Sequence, residues 1–179
     1  YDWSDEIHHI PFGLITQGGK KLSTRKGNVV FLDQVLKDAV SLAKKQIEEK
    51  NPDLADKDQV AHDVGVGAVI FHDLKNDRLD NFDFDLDEVV RFEGDTGPYV
   101  QYTNARAQSV LRKAAAMGEK PSEGDFALGD DWAFAVAKDL ADFPRIIARS
   151  ADKFEPSVIA KFALDLAKKF NKYYANVKI

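Results

Sequence analysis

Apolar and polar positions repeat along the chain with two different periods, and the changes of period mark where its elements fall. Val35, Leu36, Ala39, Val40, Ala43 and Ile47 recur at the spacing of one helix face, leaving Lys44, Lys45, Glu48, Glu49 and Lys50 for the wet side. Asp33 is the expected N-cap and Asn51-Pro52 the expected stop. A second helix is predicted after Asp56 or Asp58, with Val60, Val64, Ala68 and Phe71 on one stripe and Val66, Val69, Ile70 and Leu74 broadening it. Its second half is apolar nearly all round and is expected to be buried. Gly65 and Gly67 within it each cost about 1 kcal/mol relative to alanine, and a close crossing by another element is the expected reason.

Phe82-Asp83-Phe84-Asp85-Leu86-Asp87 changes the period to two, as a short half-exposed strand or extended segment does. Glu93 to Pro98 reads as a turn into a helix, with Thr96 or Gly97 at the cap, Pro98 in the first turn and an end near Met117. Gly118 to Gly129, with Pro121, Ser122 and Gly124, read as a linker or a long helix connection. Asp130 or Asp131 then caps a helix with Trp132, Ala133, Val136, Ala137 and Leu140, and Pro144 is expected to break it and restart a shorter one. Glu155-Pro156-Ser157 opens the last helix, lined by Ile159, Phe162, Ala163, Leu166, Phe170 and Tyr173 or Tyr174. At the other end, Ile7, Ile10, Phe12, Leu14 and Ile15 lead into a glycine-rich loop and the β-prone run Asn28 to Leu32 leaves it, so extended segments are expected on both sides. The sum is a mainly α chain, a helical bundle preceded by a few short strands.

Composition narrows the chemistry. With no cysteine and four scattered histidines among 179 residues, thiolate sites are excluded and no metal site is expected. A calcium loop over Asp83, Asp85 and Asp87 fails, because Glu88 and Gly94 stand where glycine and glutamate are needed. No apolar run reaches the roughly 20 residues of a membrane span, so no membrane partner is expected. The start at Tyr1, without Met, suggests a piece of a larger protein. The balance of 25 basic against 30 acidic residues argues against nucleic acid at first sight. The charge is uneven, however: acid gathers between Asp77 and Asp95, while the opening loop and the last stretch (Lys161, Lys168, Lys169, Lys172 and Lys178 against Asp165) are basic. A local RNA footprint and ordinary surface lysines both fit that tail.

Chemistry concentrates in Gly18-Gly19-Lys20-Lys21-Leu22-Ser23-Thr24-Arg25-Lys26-Gly27-Asn28. Four cations, two hydroxyls and turn-forming glycines suit a polyphosphate, although lysine-rich loops are often merely solvated. The P-loop pattern does not fit, since Gly19 rather than lysine follows Gly18 in register. On the helix after Pro98, Tyr99, Tyr102 and Arg106 share a face that suits base stacking and phosphate pairing, or simple packing against neighbouring helices.

Lys21-Leu22-Ser23-Thr24-Arg25 is in register with the Lys-Met-Ser-Lys-Ser signature of class I aminoacyl-tRNA synthetases. With His9 to Leu14, Val64 to Val69, Phe82 to Asp85, Phe92 to Tyr102 and Leu164 to Tyr174, it resembles the arginyl-tRNA synthetases over nearly the whole chain. The resemblance implies residues 1–55 as the C-terminal edge of a Rossmann-like catalytic domain and 56–179 as an α-helical anticodon-binding domain. It implies Lys21, Ser23, Arg25 and Lys26 as catalytic residues, and Lys20, Lys21, Leu22 and Ser23 as ATP contacts. Thr24 stands in place of the second signature lysine and Arg25 in place of the final serine, so Arg25, Lys26 or a lysine outside this chain is expected to supply that charge. Tyr99, Tyr102, Arg106 and Tyr174 are the implied RNA contacts, whereas Ser157 and Val177 stand where the family's closing histidine and cysteine are expected. Implied partners are tRNA-Arg, ATP and arginine, with ATP as substrate, magnesium beside it in the full-length enzyme, no tightly bound cofactor, and a cytoplasmic setting. His-Ile-Gly-His, the other class I signature, is absent from this sequence, so the piece alone is expected to be inactive. The alternatives are a non-enzymatic helical RNA-binding module and another class I synthetase.

Overall fold

The computed structural model describes residues 2–21, 30–120 and 129–177. A single turn of 3-10 helix, Ser4–Glu6, precedes a hairpin of β1 (Ile15–Gln17) and β2 (Lys20–Lys21). Then come α1 (Leu32–Lys50), α2 (Lys57–Lys75), β3 (Phe82–Asp83), the short α3 (Leu86–Val89), α4 (Gly97–Ala116), α5 (Asp131–Lys153) and α6 (Ser157–Asn176). The sheet order is β2-β1-β3, with β1 antiparallel to β2 and parallel to β3.

Helix α1 buries Ala39, Ala43 and Ile47, and α2 answers with Ala61, Val64, Gly65, Ala68 and Val69. Small residues let the two backbones approach closely. A Cβ on Gly65 would stand 2.6 Å from the Val40 nitrogen, and one on Gly97, at the start of α4, 3.0 Å from the Gly67 carbonyl. These crossings give the expected reason for both α2 glycines, with Gly67 also lying under the Gln101 side chain. Only one side of the apolar half of α2 is covered, however: Ile70 is 52% and Leu74 40% exposed.

Three further expectations change. Asp33 lies inside the first turn of α1, where its carboxylate meets the helix-end partial positive charge and pairs with Lys37 at 2.6 Å; Phe31 takes the cap position. Val30 and Phe31 form no strand: Phe31 is already the residue that leads into α1, and Leu32 belongs to the helix. Asn28 and Val29, like residues 121–128 of the expected linker, lie outside the described residues. Pro144 does not break its helix. α5 runs through it, because Val136, Asp139, Phe143, Ile146 and Ser150 keep one phase across the proline and the helix packs against α6, with Phe143 stacked on Phe162 at 5.3 Å. Packing of that continuous stripe outweighs the lost hydrogen bond.

Helix α3 was not legible as a helix. The Asp85 carboxylate accepts from the amides of Asp87 (2.9 Å) and Glu88 (3.3 Å), starting a turn that drives Val89 and Val90 into a core with Ala39, Ala68 and Val69. This plug ties the strand segment to the helices. The tie is extended by interleaved bonds between residues 11–16 and 78–84. Arg78 donates to the Pro11 carbonyl and its own carbonyl accepts from Gly13, Asn81 accepts from the Leu14 amide, and the amides of Phe82 and Phe84 donate to Leu14 and Thr16. A Cβ on Gly13 would fall 2.1 Å from the Asp80 carbonyl oxygen, so only glycine fits there. Arg78 also donates to the Phe154 carbonyl in the α5–α6 turn, 3.7 Å from Glu155.

His72 fills the space under the strand segment, edge-on to Phe82 and Phe84. Burial first, and Lys75 second, hold its imidazole below the usual value, against a hydrogen bond to the Asp83 backbone and the charges of Asp73 and Glu88. The neutral ring is therefore the folded form's preference, so its stabilisation is complete above the ordinary value of 6.5 and is lost as pH falls below it. Unfolding midpoints measured from about pH 7.5 to about pH 5.5 should fall, and His72→Gln should flatten that slope. Gly65→Ala should cost about 1–3 kcal/mol in urea unfolding through overpacking against α1.

Candidate functional site

Two assemblies gather the residues singled out above. The first is the hairpin that carries the lysine loop. Gly18 and Gly19 make its two-residue turn with φ of +57° and +71°, the left-handed pair that tight hairpins favour. This sets Gln17 opposite Lys20 and Thr16 opposite Lys21, with both lysines exposed on β2. Leu22, Ser23, Thr24, Arg25 and Lys26 lie outside the described residues. The glycine amides, which could cradle an anion, already have one: Asp83 on β3 accepts from Gly19 at 2.9 Å, Gly18 at 3.1 Å and the Thr16 hydroxyl at 2.8 Å. These bonds, that from Gly19 foremost, hold the Asp83 carboxyl below its usual range. Any phosphate binding at the hairpin thus falls to its cationic side chains.

The second assembly joins α4 to α6. Tyr99, Tyr102 and Arg106 share a face of α4, and Tyr174 comes to it from α6, so all four expected RNA contacts are neighbours. The Arg106 guanidinium lies 5.0 Å from the Tyr102 ring centre and 4.9 Å from that of Tyr174, between the two. Tyr102 is 51% and Tyr174 38% exposed, while Tyr99 is half-buried. Tyr102 also borders a groove lined by Ile47, Val64, Phe92 and Gln101.

Sequence reasoning missed Asn171. Its amide nitrogen donates to the Tyr99 hydroxyl (3.0 Å) and the Thr103 hydroxyl (2.8 Å), and its carbonyl accepts from Arg106. Asn171 thereby fixes the guanidinium plane between the rings. The available signal was a polar residue three positions before Tyr174 on the apolar side of α6.

Much of the surrounding charge is already paired. Lys168 meets Asp95 and Lys169 meets Asp139, each at 2.6 Å, and Lys75 donates to the Asp95 carbonyl at 2.7 Å. Of the described tail cations, Lys161 and Lys172 remain exposed. His8 packs its ring on Phe154 at 5.3 Å, in keeping with a packing histidine. Among the described residues no group of three or more His, Asp or Glu could hold a metal ion, and no helix is long and apolar enough to cross a membrane.

Comparison with known proteins divides the chain in two. Residues 1–86 match the family described as tRNA synthetases class I (R), catalytic domain, and residues 100–179 match the DALR anticodon binding domain. Over its full length the chain is 93% identical to an arginine–tRNA ligase of Lactobacillus acidophilus and 79% identical to one of Lactobacillus johnsonii, spanning 32% of each. The chain thus spans about a third of the length of these relatives. The solved structure of Thermus thermophilus arginyl-tRNA synthetase superposes with a TM-score of 0.85 at 38% identity, over 98% of this chain and 28% of that one.

Truncating the amide tests the second assembly. Asn171→Ala leaves the Tyr99 and Arg106 polar groups without their partner and should cost about 1–3 kcal/mol in urea unfolding; an unchanged midpoint would remove Asn171 from the assembly.

Proposed function

The chain belongs to the arginyl-tRNA synthetase family, and from that membership we propose that it is the segment of an arginine–tRNA ligase that carries both the ATP-phosphate loop and the anticodon-binding surface. Residues 1–55 close the catalytic domain in this reading, and 56–179 form the anticodon-binding domain. The observation that carries it is Arg106 held between Tyr102 and Tyr174 on exposed helix faces. Flat rings with a fixed cation between them suit an unpaired base and its phosphate, because stacking needs an exposed π face and the guanidinium supplies charge and planar donors.

The ligase joins arginine to ATP, releasing pyrophosphate, and passes the arginyl group to tRNA-Arg in a cytoplasmic setting. Lys20 and Lys21 offset the charge that develops as pyrophosphate leaves, together with Ser23, Arg25 and Lys26 further along the loop. Leu22 lines the ATP. The described residues supply no group of three or more carboxylates or imidazoles that could hold the magnesium that accompanies ATP. Amino-acid recognition and the His-Ile-Gly-His half of the site belong to parts of the ligase that this chain does not contain.

The test is tRNA binding by the full-length ligase. Arg106→Ala and Tyr102→Ala should each weaken tRNA-Arg binding about tenfold or more, a stacking and phosphate contact being worth about 1–3 kcal/mol. Changing the middle anticodon base should weaken the wild type far more than Arg106→Ala. Equal binding of both transcripts by the wild-type ligase, with a steep salt dependence, would instead mark a generic RNA surface.

A further inference from the structure

We propose that Asp83 is a positioning residue for the ATP-phosphate hairpin, fixing the direction in which β2 presents Lys20 and Lys21. The proposal rests on the reading of the lysine loop given above. Three donors converge on this one carboxylate: the amides of Gly18 and Gly19 and the hydroxyl of Thr16, from 64 to 67 residues away in sequence. They span the turn and the middle of β1, so the carboxylate fixes the hairpin at both points. A two-stranded hairpin this short has no stability of its own in water, and its orientation must come from outside it.

Asp83 is fit to supply that orientation because its own position is fixed. Its backbone pairs with Thr16 in the parallel β1–β3 register, and the Phe84 amide donates to the Thr16 carbonyl at 2.8 Å. Two residues on, Asp85 caps α3, whose Val89 is buried in the core shared with α1 and α2. Core, cap, strand and carboxylate thus form one continuous support under the hairpin. A small misplacement of a catalytic cation is enough to cost about a hundredfold in rate. The carboxylate is also exposed, so its removal opens no cavity in the core.

The test uses the full-length ligase and arginine-dependent pyrophosphate exchange in the presence of tRNA. Asp83→Ala should lower kcat tenfold or more, with tRNA-Arg affinity and the unfolding midpoint close to wild type. Asp83→Asn keeps one acceptor for Thr16 and Gly19 but turns an amide group toward Gly18, and should fall between the two. A purely structural role would not produce the result expected when both lysines are removed as well: Lys20→Ala and Lys21→Ala combined with Asp83→Ala should be no slower than Lys20→Ala and Lys21→Ala without it, since Asp83 acts through the two lysines. Multiplying defects would overturn the proposal, as would a lower KM for ATP in Asp83→Ala, which would mean that phosphate competes with Asp83 for the glycine amides. A wild-type rate for Asp83→Ala beside an impaired Lys21→Ala overturns this proposal alone. A wild-type rate for Lys21→Ala overturns the reading of the loop and this proposal with it.

Discussion

The interleaving of residues 11–19 with residues 78–84 is the constraint on which the rest of the arrangement depends. Two strands of three and two residues cannot hold themselves together, and every inward polar group on them needs a partner. The partners come from one segment between α2 and α3: the Arg78 carbonyl and guanidinium, the Asn81 side chain, the amides of Phe82 and Phe84, and the Asp83 carboxylate. That segment is anchored at both ends, by α2 before it and by the buried Val89 and Val90 after it. The hairpin therefore takes its orientation from the helical core.

The α4–α6 assembly obeys the same rule with side chains instead of backbone. Asn171 has an acceptor and two donor hydrogens, and it uses both functions, toward Arg106 on one side and toward Tyr99 and Thr103 on the other. The Thr103 hydroxyl in turn donates to the Tyr99 carbonyl at 2.8 Å, so the network closes on the α4 backbone. A guanidinium held in this way loses little freedom when a ligand meets it, which favours binding without a large ordering cost.

Periodicity made α1, α2, α4, α5 and α6 legible, since each buries a stripe with a regular phase, and the alternation of Phe82, Asp83 and Phe84 made β3 legible. Local rules failed where tertiary packing overrode them. Pro144 is a breaker by propensity, yet the stripe of α5 continues through it. Val30, Phe31 and Leu32 are β-prone, yet Phe31 and Leu32 are taken up by the start of α1. Helix α3 is too short to show a period and rests on the Asp85 cap. Of the α4–α6 assembly, Tyr99, Tyr102 and Arg106 were legible as neighbours from their spacing on one helix, whereas the place of Tyr174 beside them comes from the packing of α6 on α4. Asn171 and Asp83 were not legible, because their importance lies in partners 64 to 72 residues away. No local pattern records such pairs.

The turn between α5 and α6 is held partly by residues far from it in sequence. Phe154 sits at φ +50°, in the left-handed region where glycine is usual, with its carbonyl held by Arg78 and its ring against His8. On a ribosome, His8 and Arg78 emerge long before Phe154 is made. The segment that shapes the last helical hairpin thus has to wait for the hairpin it shapes. Completion of this fold waits for the α5–α6 turn, and a nascent chain stopped before Phe154 leaves Arg78 and His8 without these contacts.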